Sequence, residues 1–119
     1  MADRVDGMNS VEDPGGRASI PVACTLTSAD RADQADRWMR LADRALTART
    51  ETPDGLRLAF LPDRGVRQEL RALAAVERDC CAWADWAVAA EPSQVVLTVS
   101  ASGEGIGALH EMFRSLRAR

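Results

Sequence analysis

The spacing of apolar residues changes from a helical period to a strand period along this chain. Between 64 and 82, apolar or sulfur-bearing side chains recur every three or four residues, which predicts an amphipathic helix. Between 94 and 100, in QVVLTVS, they recur every second residue, which predicts a half-buried strand. A chain that carries both periods is expected to pack helices on a sheet.

The complete order of segments predicts an α+β fold of the form β-α-β-α-β-β-α. We expect one domain at 20–119, with a four-stranded mixed sheet and helices mainly on one face. Helix starts are predicted at Thr27 or Ser28, at Asp63 and at Ser102. The expected elements are a strand at 21–27, a helix that ends before the turn TPDG at 52–55, a strand at 56–62, a helix at 64–82, a hairpin of 86–91 with 94–100, and a last helix from 102.

Charge and composition exclude several classes of protein. The net charge is −3, and arginines alternate with aspartates in ADRADQADR, so a nucleic-acid partner is not expected. No apolar run reaches about 18 residues, so no membrane span is expected. Residues 1–19 are rich in Gly, Asp, Ser and Asn and are predicted to be a disordered tail. That start lacks the features of a signal peptide, so we expect a cytoplasmic protein with reduced thiols.

The three cysteines do not predict a disulfide framework, because their number is small and odd. They also form no Cys-x-x-Cys pair, and the chain contains no phosphate-binding glycine loop and no His-Glu-x-x-His motif. In a cytoplasmic chain, clustered cysteines more often serve in metal or redox sites than in structural disulfides.

The most informative motif is Glu77-Arg-Asp-Cys80-Cys81. Residues three and four apart share one helix face, so Glu77 is expected to lie beside both sulfurs. Glu77 also continues the apolar stripe of Leu70 and Leu73, and a carboxylate on a buried stripe is costly unless it is paired or protonated. Adjacent cysteines diverge by roughly 100° on a helix, so joint binding of an ion is easier near a frayed helix end.

We therefore predict a metal site formed by Cys80, Cys81 and Cys24, with Glu77 beside it. Cys24 is expected on the inner face of the first strand, where it could supply a third thiolate. Thiolates select soft ions, so the expected cofactor is one Hg, Cu(I), As(III) or Zn ion, without an organic cofactor.

Two other interpretations stay open at this point. In a thiol-dependent enzyme, one cysteine would be the nucleophile and Glu77 the proton carrier. In an interaction or homodimerisation domain, the cysteines would be small core residues. His110, the only histidine, is expected at the edge of the last helix without a role in the site, while Trp83 and Trp86 are expected to anchor the core or enclose the site.

The segments CTLT, TPDGLRLAF and LRALAAVERDCCAW together resemble a small bacterial family with the pattern Cys-x-Leu-Thr … Glu-Arg-x-Cys-Cys-x-aromatic. The resemblance covers about 24–100, and Trp83 stands where the family usually has Phe. The family resembles accessory proteins that accompany heavy-metal, mercury-type resistance. The resemblance implies that Cys24, Glu77, Cys80 and Cys81 handle a thiophilic metal.

Overall fold

The computed structural model describes residues 27–118, which form three helices and one four-stranded sheet in the order α-β-β-α-β-β-α. The α+β class, the helices on one face and the C-terminal hairpin are confirmed. The strand expected at 21–27 and the tail expected at 1–19 lie outside the described residues. The elements are α1 Ser28–Ala45, β1 Leu46–Thr52, β2 Gly55–Phe60, α2 Val66–Cys80, β3 Asp85–Ala90, β4 Val95–Ser100 and α3 Glu104–Met112.

The sheet has the strand order β1-β2-β4-β3, and all three pairings between the described strands are antiparallel. This corrects the expectation of a mixed sheet. A helix that joins two strands of one sheet, as expected between 21–27 and 56–62, is a crossover that is typical of parallel strands. Instead, the strand that follows α1 is β1, and a short turn returns the chain into β2 as a hairpin.

Strand β1 was not predicted, because LTARTET shows no apolar alternation. Beyond Leu46, which belongs to the core, its inward-facing positions are polar: Arg49 pairs with Leu58 across the sheet and lies on the helix side. The guanidinium of Arg49 donates hydrogen bonds to the carbonyl oxygens of Phe113 (3.0 Å) and His110 (3.3 Å) at the end of α3. Arg49 therefore caps the C-terminal end of α3. It occupies an inward-facing position at which an alternating strand would carry an apolar residue.

The helix starts were predicted with mixed success. Thr27 caps α1 as expected, since its hydroxyl oxygen accepts a hydrogen bond from the amide of Asp30 at 3.1 Å. The Asp63 side chain does not cap α2, which begins after Gly65 in a left-handed conformation with φ 81°. Asp63 contributes its carbonyl oxygen instead, to the amide of Val66. The third helix begins at Glu104, two residues later than the predicted Ser102.

The core lies between the three helices and one face of the sheet. Leu58 and Phe60 point into it, as the alternation of 56–62 predicted. The helical spacing of Trp38, Met39 and Ala42 predicts that Met39 faces the core, but Met39 is 44% exposed and Leu41 is buried instead. None of the described helices is both long enough and apolar enough to span a membrane. Other side chains of the core are Trp38, Leu70, Leu73, Trp86, Leu97, Val99, Leu109 and Phe113.

Gly55→Ala is expected to destabilise the protein by about 1–3 kcal/mol, the usual cost of overpacking. A Cβ at Gly55 would collide with the carbonyl oxygen of Val99 on the neighbouring strand. Gly107→Ala is the matched control: it adds the same methyl group to α3, where a Cβ meets open space, and should stabilise the helix by up to about 1 kcal/mol. Urea unfolding measures both variants. If Gly55→Ala and Gly107→Ala unfolded at the same urea midpoint, the close approach of Gly55 to Val99 would be contradicted.

Candidate metal centre

The end of helix α2 places three functional side chains within one turn. Glu77 and Cys80 belong to the last turn, and Cys81 is the first residue beyond the helix. The amide of Cys81 still donates to the carbonyl oxygen of Glu77 at 2.6 Å. The ψ angle of Cys81 is 64°, however, which is not helical. The chain therefore leaves the helix at the second cysteine.

The two sulfur atoms lie 3.4 Å apart. On a continuous helix, adjacent side chains point roughly 100° apart. The departure from helical geometry at Cys81 instead allows its side chain to turn toward Cys80. Both side chains are buried thiols, with exposures of 4% for Cys80 and 1% for Cys81. The approach of adjacent cysteines at a helix end, which the sequence suggested, is therefore present.

The carboxyl group of Glu77 is buried between the thiols and helix α1. Its Oε2 accepts hydrogen bonds from the indole nitrogen of Trp38 at 2.7 Å and from the amide nitrogen of Gln34 at 3.0 Å. The Gln34 amide is itself held by the carbonyl oxygen of Leu73, 3.1 Å away. Both donors are neutral, so they fix the position of the carboxyl without forming an ion pair.

The second oxygen of Glu77 faces the cysteines. Oε1 lies 3.9 Å from the sulfur of Cys80 and 3.8 Å from that of Cys81. One oxygen is thus anchored by α1, while the other is directed at the two thiols. This division confirms that Glu77 lies beside both sulfurs, as the three- and four-residue spacing predicted.

The ligand atoms of Glu77, Cys80 and Cys81 all lie within 4.8 Å of one another. Two sulfurs and one carboxylate oxygen form a donor set that suits soft or borderline ions such as Zn, Cu(I) or Hg(II). The three side chains are buried, so an ion held by them would be shielded from water. The described residues therefore fit a metal or metalloid ion.

A pocket of about 630 Å³ opens beside this group, and Glu77 and Cys81 form part of its lining. Cys80 is not among the described residues that line the pocket. The rest of the lining is largely apolar. It includes Trp38, Met39, Trp83, Ala108, Met112, Phe113 and Leu116.

The two tryptophans after the cysteines have different positions. Trp83 lines the pocket and is 7% exposed, so it encloses the site. Trp86 packs edge-on against Phe113, with ring centroids 6.0 Å apart, and belongs to the core. Its indole nitrogen also donates to the carbonyl oxygen of Cys81 at 3.5 Å. The two roles expected for this aromatic pair are therefore divided: Trp83 encloses the site, and Trp86 anchors the core.

His110 contacts the β1–β2 hairpin and is not part of the group formed by Glu77, Cys80 and Cys81 among the described residues. Its Nε2 lies 2.7 Å from the carbonyl oxygen of Gly55, and its Nδ1 lies 3.7 Å from a carboxylate oxygen of Glu51. These contacts give the imidazole a structural position between α3 and the β1–β2 hairpin. Cys24, the third predicted ligand, lies outside the described residues, so its proximity to the pair stays a prediction.

Gln34 and the indole of Trp38 were not predicted as parts of the site. Trp38 was expected only as an apolar residue of α1, and Gln34 was not identified at all. A signal was available, because Gln34 lies four residues before Trp38 and therefore shares its helix face. A polar residue on the inner face of α1 is a possible hydrogen-bond partner for a carboxylate on the inner face of α2.

Comparison with known proteins adds no relative to this description. No family model, curated protein or solved structure matches the chain. The function must therefore be inferred from the site itself.

Proposed function

We propose that the protein binds one soft metal or metalloid ion through the thiolates of Cys80 and Cys81. The observation that carries the proposal is the 3.4 Å separation of two buried sulfurs beside a buried carboxyl group. Two cysteines that served only as core residues would not require Glu77 next to them, since burying a carboxyl group is costly. In the proposed site, Glu77 positions the two thiols through its Oε1, and the thiols release their protons to solvent when the ion binds.

Cys24 is the proposed third thiolate. The resemblance to the Cys-x-Leu-Thr … Glu-Arg-x-Cys-Cys family supports this assignment, as does the preference of Hg, Cu(I) and As(III) for sulfur ligands. The same resemblance supports a bacterial role in heavy-metal handling or resistance. The proposal requires a reducing, cytoplasmic environment, because oxidised cysteines do not bind metals.

Native mass spectrometry of the reduced chain, titrated separately with Hg(II), Cu(I), As(III) and Zn(II), tests the proposal. Free thiols are counted by alkylation at each step. We expect one ion per chain, with Cys80 and Cys81 protected from alkylation, and Cys24 protected as well if it is the third ligand.

The control is the double variant Cys80→Ala/Cys81→Ala, whose fold is checked by circular dichroism. Loss of ion binding in a folded double variant supports the metal site. Failure of the reduced wild-type chain to retain any of these ions in the presence of a weak competitor would refute it. In that case the other two interpretations would remain, a thiol-dependent enzyme and an interaction domain with the cysteines as core residues.

A further inference from the structure

We propose that the ligand of this site is a trivalent organoarsenical, an arsenic atom that carries one organic substituent and two exchangeable hydroxyl groups. Cys80 and Cys81 would bind the arsenic, and the organic substituent would occupy the adjacent pocket. This inference rests on the proposed soft-ion function and specifies its ligand. On such a ligand the organic substituent takes the third position on arsenic, which Cys24 would fill on a bare ion. Three observations carry it: the sulfur separation, the pocket and the charge of the resulting adduct.

The sulfur separation of 3.4 Å is compatible with a pyramidal ion. With bonds of about 2.3 Å, as in zinc thiolates, sulfurs 3.4 Å apart subtend an angle of about 95° at the ion, since half the separation divided by the bond length is the sine of half the angle. A tetrahedral ion with the same bonds would require about 3.8 Å, and a linear ion about 4.6 Å. Trivalent arsenic is pyramidal with angles near 95°, because its lone pair occupies the fourth direction.

The pocket provides room for an organic substituent on that arsenic. Its volume of about 630 Å³ lies within the range of about 300–1,000 Å³ that is typical of small-molecule sites. The bare ion would need no such space. Met39 and Met112 line the pocket and are the large hydrophobic side chains left exposed among the described residues, at 44% and 39%. Flexible methionines adapt to varied apolar ligands, so these two residues suit an aryl or alkyl group.

The charge of the adduct fits a buried site. Each thiol replaces one hydroxyl group on the arsenic, so two arsenic–sulfur bonds form, two arsenic–oxygen bonds break and two waters leave. Arsenic stays trivalent, no redox partner is required and the product is neutral. A Cu(I) ion held by the same two thiolates would instead carry a net charge of −1 next to Glu77, which burial disfavours.

Glu77 has the position to assist this exchange. Its Oε1 lies 3.9 Å and 3.8 Å from the two sulfurs, so the carboxyl group contacts both thiols at the place where the hydroxyl groups are displaced. The anchoring of Oε2 by Trp38 and Gln34 keeps the other oxygen directed at the thiols throughout.

The test compares phenylarsonous acid with inorganic arsenite as ligands of the reduced full-length chain. Each is titrated in competition with dithiothreitol, so that the intrinsic difference between the two arsenicals in binding a dithiol cancels. We expect the protein to prefer phenylarsonous acid over arsenite by at least about tenfold after this correction. Mass spectrometry should show an adduct that has lost two waters, with Cys80 and Cys81 protected.

Two variants locate the organic substituent. Ala108→Phe fills the pocket and should reduce the preference to about one while arsenite binding persists. Met39→Gln changes an exposed lining residue, so it should fold even if Ala108→Phe does not, and it should weaken the preference several-fold. Equal corrected affinities for both arsenicals would overturn this inference and leave soft-ion binding intact. Failure of both arsenicals and of all the metal ions to bind would overturn both proposals.

Discussion

Cys81→Ser should lower the affinity of the reduced protein for its ion by at least about 100-fold, or about 2.8 kcal/mol. A serine hydroxyl keeps the shape of the side chain but is a hard ligand, whereas soft ions select thiolates. Cys80→Ser should cause a similar loss, because both sulfurs are buried and lie 3.4 Å apart. Competition with a small dithiol chelator, followed by mass spectrometry, measures these affinities.

Ala75→Ser is a suitable control for both cysteine variants. Ala75 lies on the same helix but on its exposed face, so the change introduces a hydroxyl group away from the site. Its ion affinity should stay within about twofold of the wild-type value, a change of less than 0.5 kcal/mol by the usual conversion of about 1.4 kcal/mol per tenfold. If Cys81→Ser bound the ion as tightly as Ala75→Ser, Cys81 would not be a ligand.

Glu77→Ala should lower the free energy of unfolding by about 2–6 kcal/mol. The indole of Trp38 and the amide of Gln34 would each lose a buried acceptor, and each orphaned donor costs about 1–3 kcal/mol. Glu77→Gln should cost less, because its side-chain oxygen can still accept both hydrogen bonds. Urea unfolding of the reduced, ion-free proteins measures the free energy of unfolding of the wild type, of Glu77→Ala and of Glu77→Gln.

Glu69→Ala provides the matched control for Glu77→Ala. Glu69 also joins α2 to α1, through a salt bridge of 3.1 Å to Arg37. Its hydrogen bond raises the pKa of Arg37, but both side chains are about one-third exposed, at 34% and 35%. A partly exposed pair contributes only about 0–1 kcal/mol. If Glu69→Ala destabilised the protein as much as Glu77→Ala, the buried contacts of Glu77 would not be the cause.

The relation between Glu77 and the two cysteines could be predicted from the sequence, because it depends on helix geometry alone. Residues three and four apart meet on one face wherever the helix lies. The partners of Glu77 on α1 could not be predicted in this way. Gln34 and Trp38 are 43 and 39 residues distant in sequence, and which helix face meets α2 is decided by packing.

The same difference between local spacing and long-range packing explains which parts of the fold were predicted and which were missed. The hairpin of β3 and β4 was predicted, because Val95, Leu97 and Val99 alternate with residues of the other face. Strand β1 was missed, because its inward-facing Arg49 serves a helix end that is 64 residues away. The sequence suggested that the two sulfurs could approach each other near a helix end, but no residue pattern specifies that the backbone leaves the helix at Cys81.

X-ray absorption spectroscopy of the bound ion would test the central claim most directly, because it counts the sulfur atoms around the ion. The protein is loaded with one equivalent of As(III) or Hg(II), and Cys80→Ser is measured beside it. We predict at least two sulfur neighbours at about 2.3 Å in the wild-type arsenic complex, as expected for thiolate bonds, and one fewer in the variant. A first shell of oxygen or nitrogen alone, or a sulfur count that Cys80→Ser leaves unchanged, would contradict joint binding by Cys80 and Cys81.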